Sequence, residues 1–127
     1  MVKLDKIYQA AFVLKEAARK TDLIFSEKLS GKSQIYLKTE NLQVTGSFKL
    51  RGAYYKNHQL SPEQKAAGII ACSAGNHAQG VALAATKMGI KSVVCMPDGA
   101  PISKVEATKA LGAEVKLVPG AYDDAYA

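Results

Sequence analysis

The chain has 127 residues, 48% of them hydrophobic and 22% charged, with 2 cysteines and no tryptophan. That length suits one domain with a real core, and the composition excludes a disordered tail, a collagen and a disulfide scaffold. Lys and Arg number 17 against 11 Asp and Glu, a net charge of +6 that points mildly to an anionic partner.

Residues 4–20 read as an amphipathic helix, because Leu4, Ile7, Tyr8, Ala11, Leu14 and Ala18 fall at helical spacing. Ile35-Tyr36-Leu37 reads as a short strand. Asn41 to Gly46 is polar and turn-rich, and Ser47 is placed to cap a helix running to about Gln59. Ser61, Pro62 and Gln64 form the start of a second helix with a capping box, and Gly68 stops it. Ile69–Cys72 is a strand, Ser73–Asn76 a loop, and His77–Met88 a helix ended by Gly89. Val93–Met96 is a strand. Ser103–Leu111 is a helix with a Ser103/Glu106 capping box, ended by Gly112. Val115–Val118 is a strand, and Asp123-Asp124-Ala125-Tyr126 starts another helix. Short apolar runs alternating with amphipathic helices indicate βαβ units, an α/β fold and a parallel sheet. Such a sheet needs helices on both faces, so the architecture reads as incomplete.

Cys72 and Cys95 sit in separate apolar runs and read as small buried core residues. No run approaches the ~20 apolar residues of a membrane span. Without a signal-peptide pattern, the expected compartment is the cytoplasm. No His/Cys/carboxylate cluster has metal-ligand spacing. The lysines are scattered rather than gathered in a stripe, so no nucleic-acid partner is expected.

Two segments carry chemistry. In Thr45-Gly46-Ser47-Phe48-Lys49-Leu50-Arg51-Gly52 a loop ends and a helix begins with Lys49 in its first turn. The helix N-terminus and a nearby Arg51 would both disfavour the ammonium form, and a neutral amine is what Schiff-base chemistry requires. Taken alone, Lys49 also fits an ordinary solvated lysine. Ser73-Ala74-Gly75-Asn76-His77-Ala78-Gln79-Gly80 lies where a parallel strand hands over to a helix, the usual ligand position in open α/β sheets. Its backbone N–H groups suit a carboxylate or phosphate, and Gly75 and Gly80 permit close backbone approach. By local pattern alone, a plain βα turn fits as well. The segment is neither G-x-G-x-x-G nor a Walker loop.

Together these two segments resemble the threonine ammonia-lyase (threonine dehydratase) family, pyridoxal-phosphate enzymes of the tryptophan-synthase-β-like fold. The resemblance runs from about residue 20 to the end and includes Tyr36–Asn41, Met96-Pro97 and Lys104-Val105. It covers the first part of such an enzyme. It implies that Lys49 holds pyridoxal phosphate as a Schiff base, that Phe48 packs beside its ring, and that Asn76 hydrogen-bonds its phenolic oxygen. Ser73, Ala74, Gly75, Asn76 and His77 would hold the substrate carboxylate. The implied reaction is β-elimination of L-threonine to 2-oxobutanoate and ammonia, or of L-serine to pyruvate. The resemblance also implies a homo-oligomeric parent. Residues 1–50 would be the leading elements of a large cofactor domain, and residues 51–127 most of a small βαβ substrate domain that closes over the cleft.

The chain departs from the family pattern at Thr21-Asp22-Leu23, where Thr-Pro-Leu is expected. The downstream glycine-rich phosphate loop, and the Ser or Cys facing the pyridine nitrogen, are not among residues 1–127. Cysteine and threonine synthases would show Lys-Asp-Arg where this chain has Lys49-Leu50-Arg51. Serine racemases carry a hydroxyl residue where Ala74 stands, so elimination is favoured over racemisation. The remaining alternative is a catalytically silent fragment.

Overall fold

A computed structural model describes residues 1–127. Helix α1 spans Leu4–Val13 and gives way to a 3-10 turn at Leu14–Glu16. The single helix expected over residues 4–20 is therefore two shorter pieces. Leu14 and Ala17 turn into the core, while Leu4, Ile7, Tyr8 and Phe12 stay exposed.

Strands β1 (Leu23–Phe25) and β2 (Tyr36–Lys38) pair antiparallel, with Ile24 opposite Leu37. The sequence reading misses β1 because three residues are too few to show a period. All six residues of this ribbon are exposed, including Leu23, Ile24, Phe25, Tyr36 and Leu37. Phe25 and Tyr36 pack across it with ring centroids 5.4 Å apart.

A 3-10 turn at Glu40–Leu42 leads to α2 (Lys49–His58), then α3 (Pro62–Ala67). The capping box of α3 is present as expected: Ser61 Oγ accepts from the Gln64 N–H, and Gln64 Oε1 accepts from the Ser61 N–H. Gly68 ends the helix at φ +89, where a Cβ would also sit 3.1 Å from the Lys91 carbonyl oxygen. A side chain there would be both strained and crowded.

The second half alternates β3 (Ile69–Cys72), α4 (Asn76–Lys87), β4 (Ser92–Pro97), α5 (Ile102–Ala110), β5 (Glu114–Val118) and α6 (Tyr122–Tyr126). The strands form one parallel sheet in the order β3-β4-β5. This bears out the expected incomplete α/β architecture. One cap differs from expectation. Pro101, with no side-chain cap, precedes α5, and Glu106 pairs with Lys109 at 3.0 Å instead of folding back on Ser103.

Helix α4 is buried on two sides. Val81 and Ala84 face Leu14, Ala17, Leu50, Ala53 and Tyr54. Ala78 and Ala82 face Val94, Met96, Val105 and Ala113. Small side chains on both sides let the neighbouring helix and the sheet come close, which is how an alanine-rich helix serves as a central beam. Strand β4 alternates strictly between buried and half-buried residues, with Val94 and Met96 fully buried on the α4 side. Cys72 and Cys95 are register partners and lie half-buried beside α6, on the other side of the sheet from α4. They are less buried than the sequence predicts.

Candidate functional site

Lys49 opens α2 and Asn76 opens α4, and Gly80 brings the two helices together. A Cβ on Gly80 would lie 3.0 Å from both Leu50 N and Lys49 C, and 3.1 Å from Lys49 O. Only a hydrogen fits there, so α4 runs directly against the main chain of Lys49. The close approach read from the sequence is real at Gly80, but its partner is α2 rather than a ligand. Gly75 has open space around it.

Leu50 is fully buried, and this pins the start of α2 while Phe48 and Lys49 face outwards. Phe48 is 57% exposed. The Lys49 Nζ lies 4.8 Å from its ring centroid, within cation–π range. Ser47 Oγ accepts a long 3.4 Å bond from the Lys49 N–H, so the cap expected there is weak.

The turn before α4 extends the sheet. The Ser73 N–H donates to the Cys95 carbonyl at 3.1 Å, and Ser73 Oγ accepts from the Gly75 N–H at 3.3 Å. The Ala78 N–H returns to the Gly75 carbonyl at 3.1 Å. No side chain caps α4, so the amides of Asn76 and His77 face the loop with partial positive charge. Asn76 and His77 are exposed, and Ser73, Ala74 and Gly75 are half-buried. Lys104, in the first turn of α5, donates from Nζ to Asn76 Oδ1 at 2.7 Å.

Arg51 differs from expectation. It makes a two-pronged contact with Glu40, from Nε to Oε2 at 2.8 Å and from Nη2 to Oε1 at 2.7 Å. The buried Thr21 adds its hydroxyl to Glu40 Oε1 at 2.5 Å. The guanidinium charge is therefore matched by a carboxylate and is not a free cation beside Lys49. Sequence periodicity carries no sign of this pairing, since the partners lie on different elements. It also gives Thr21 of the divergent Thr21-Asp22-Leu23 segment a role.

The Arg51 guanidinium holds the Glu40 carboxyl down at about 2, against an ordinary value of 4.5. The lowered folded-state value means that this stabilisation is fully present above the unfolded value and is lost as pH falls from about 4.5 to about 2. Glu40→Gln is expected to destabilise the fold by roughly 2 kcal/mol at pH 7, by leaving Arg51 unpaired. Urea unfolding curves for the two proteins should converge as pH approaches 2. A constant gap across that range would show that the contribution is not ionic.

The largest groove, about 520 Å³, lies between α2, α3, β3 and α4. It shares only His77 with the predicted residues, and Lys49, Phe48, Ser73 and Asn76 are absent from its lining. Its lining mixes aliphatic residues with Lys56, Asn57, Gln64 and His77, and it does not include the Lys49 amine, the Phe48 ring or the Ser73–Asn76 turn. His58 sits exposed at the end of α2.

The chain is 50% identical to L-threonine ammonia-lyase of Thermotoga maritima over 128 residues, covering 99% of this chain and 32% of that protein. The processed form of threonine deaminase isoform 2 from Solanum lycopersicum superposes with a TM-score of 0.84 at 37% identity, covering 98% of this chain and 38% of that one. Maize serine racemase superposes with a TM-score of 0.91 at 31% identity, covering 98% and 39%. The chain thus spans about a third of the length of the curated relatives it matches. Residues 14–127 match the family model described as pyridoxal-phosphate dependent enzyme. With that match over most of its length, and with the fold and lysine-bearing helix start described above, the chain belongs to the pyridoxal-phosphate dependent enzyme family.

Proposed function

We propose that the intact protein removes ammonia from L-threonine and L-serine by β-elimination, giving 2-oxobutanoate and pyruvate. The observation that carries this reading is the Gly80 contact, which fixes the Lys49 backbone against the helix that Asn76 begins. Curated relatives named for threonine ammonia-lyase and threonine dehydratase, at 50% and 53% identity, support it.

The residues present fit the ring end of pyridoxal phosphate. Lys49 supplies an exposed amine, Phe48 an exposed aromatic face, and Asn76 a carboxamide whose Oδ1 is already occupied. The glycine-rich loop at 73–80 is taken up by the turn into α4 and suits a carboxylate. When bound, pyridoxal phosphate supplies the electron sink that makes the substrate Cα proton acidic.

Lys49 would hold the cofactor through Nζ and, with that amine free once substrate is bound, would take the Cα proton. Phe48 would cover one side of the cofactor ring and exclude water there. Asn76 would donate from Nδ2 to the phenolic oxygen. The amides of the 73–77 turn, with Ser73, Ala74, Gly75, Asn76 and His77, bind and orient the substrate carboxylate. Ala74 offers no hydroxyl to reprotonate Cα from the second face, and this separates the reading from racemisation despite the likeness to maize serine racemase. The β-hydroxyl would leave as water, taking the proton that Lys49 Nζ carries from Cα, and the released enamine would be hydrolysed by water to the 2-oxo acid and ammonia.

Residues 1–50 would then belong to the larger cofactor domain and residues 51–127 to the smaller substrate domain, with the boundary in the first turn of α2. The exposed apolar face of α1 and the ribbon of β1 and β2 support this division, since both present surface for a larger body. The intact protein works as a cytoplasmic homo-oligomer. No helix of the chain is long and apolar enough to cross a membrane.

The test is product analysis on the intact protein with pyridoxal phosphate. L-threonine should yield 2-oxobutanoate, and L-serine should yield pyruvate with no D-serine. D-serine as the main product would replace this reading with a racemase.

A further inference from the structure

Asn76 can serve the cofactor's phenolic oxygen only if its carboxamide is turned the right way round. The oxygen accepts hydrogen bonds, so Asn76 must present Nδ2 to it. Turned by 180°, the same side chain would present Oδ1 and repel it. An exposed asparagine has no intrinsic preference between the two orientations.

We propose that Lys104 is a positioning residue that locks the Asn76 carboxamide with its NH2 group facing the cleft. The proposal rests on the assignment of Asn76 to the cofactor ring. The Lys104 ammonium lies 2.7 Å from Asn76 Oδ1. An ammonium has three donors and no acceptor, so it can only meet the oxygen of a carboxamide. The flipped orientation would set donor against donor. The contact therefore selects one of the two orientations, and the positive charge further polarises the amide towards donation from nitrogen.

Lys104 is itself well held. Its N–H donates to the Pro101 carbonyl at 2.8 Å, and its carbonyl accepts from the Thr108 hydroxyl at 2.8 Å. Thr108 is fully buried, and the adjacent Val105 is part of the core. Its ammonium has no carboxylate partner, and the nearby Glu106 is paired with Lys109 instead. A half-buried lysine that meets a neutral amide rather than a carboxylate is placed for orientation, not for charge balance. The contact also joins two successive βα turns of the sheet, 28 residues apart in the chain.

The test uses the intact protein and compares Lys104→Met, Lys104→Arg, Asn76→Ala and the Lys104→Met/Asn76→Ala double variant. Methionine keeps an apolar stem of similar length and removes the donor, whereas arginine keeps a donor. Two readouts are taken on each: the Kd of the apo-protein for pyridoxal phosphate, and the visible absorption band of the bound cofactor. Lys104→Met is expected to weaken cofactor binding about tenfold and to move the band in the same direction as Asn76→Ala. Lys104→Arg should restore both, and Lys104→Met should add nothing in the Asn76→Ala background. Wild-type affinity and band in Lys104→Met, with both altered in Asn76→Ala, would overturn the role of Lys104 alone. Wild-type values in Asn76→Ala would overturn the assignment of Asn76, and the proposal with it.

Discussion

Lys49→Ala in the intact protein is expected to lose 2-oxo acid formation from L-threonine by at least about a thousandfold. The substitution removes two things at once, the amine that holds the cofactor and the base that takes the Cα proton. It should leave the fold alone. The Lys49 side chain is exposed, while the neighbouring Leu50 carries the packing. The contact with Gly80 is made by the Lys49 main chain, which alanine keeps. The melting temperature and the circular dichroism spectrum should therefore match wild type while turnover disappears. Turnover at the wild-type rate would remove Lys49 from the mechanism. Loss of activity with loss of fold would contradict the exposure described here.

Gly80→Val is expected to destabilise the protein by about 3 kcal/mol and to lower turnover beyond what the lost stability explains. The atoms in the way are Leu50 N, Lys49 C and Lys49 O, all backbone, so none can swing aside like a side-chain tip. Either α4 withdraws or the start of α2 shifts, and both displace Lys49 relative to Asn76. Gly80→Ala gives a sharper sign test. By helix propensity alone, alanine in the middle of α4 should stabilise by about 1 kcal/mol. The contact at 3.0 Å reverses that, so a net loss in denaturant midpoint is expected. A gain in stability for Gly80→Ala would show that α2 and α4 have slack between them.

Much of the α/β half was legible because its signals are local. Ser61, Pro62, Gln64 and Gly68 bracket α3 within eight positions of chain, and the structure shows that helix with its capping box. Strand β3 occupies Ile69–Cys72 as read, because an apolar run framed by Gly68 and the polar Ser73 has little choice. The misses are of two kinds. Strand β1 has three residues, too few for a period, and exists only because β2 lies opposite. The Ser103/Glu106 box fits the sequence pattern, but Lys109 takes Glu106 and Pro101 starts the helix without a cap.

At the site, the two segments around Lys49 and Asn76 could be singled out from the chain. What joins them could not. Gly80 reads as a ligand-side glycine until α2 is seen against it. Arg51 reads as a cation near Lys49 until Glu40 is found on it, and Lys104 gives no local sign of facing Asn76. These are contacts between elements, set by packing, and no periodicity encodes them.

The contact between Gly80 and the Lys49 main chain bears on how the lysine can move. The root of Lys49 is braced by α4 and, two residues on, tied by Arg51 to Glu40, which Thr21 also holds. Beyond that root the side chain is a free four-carbon arm. Whatever travel the chemistry asks of this amine must come from bond rotations along the arm, which take picoseconds to nanoseconds. The backbone stays a fixed post, and the reach of the reaction is the length of one lysine side chain.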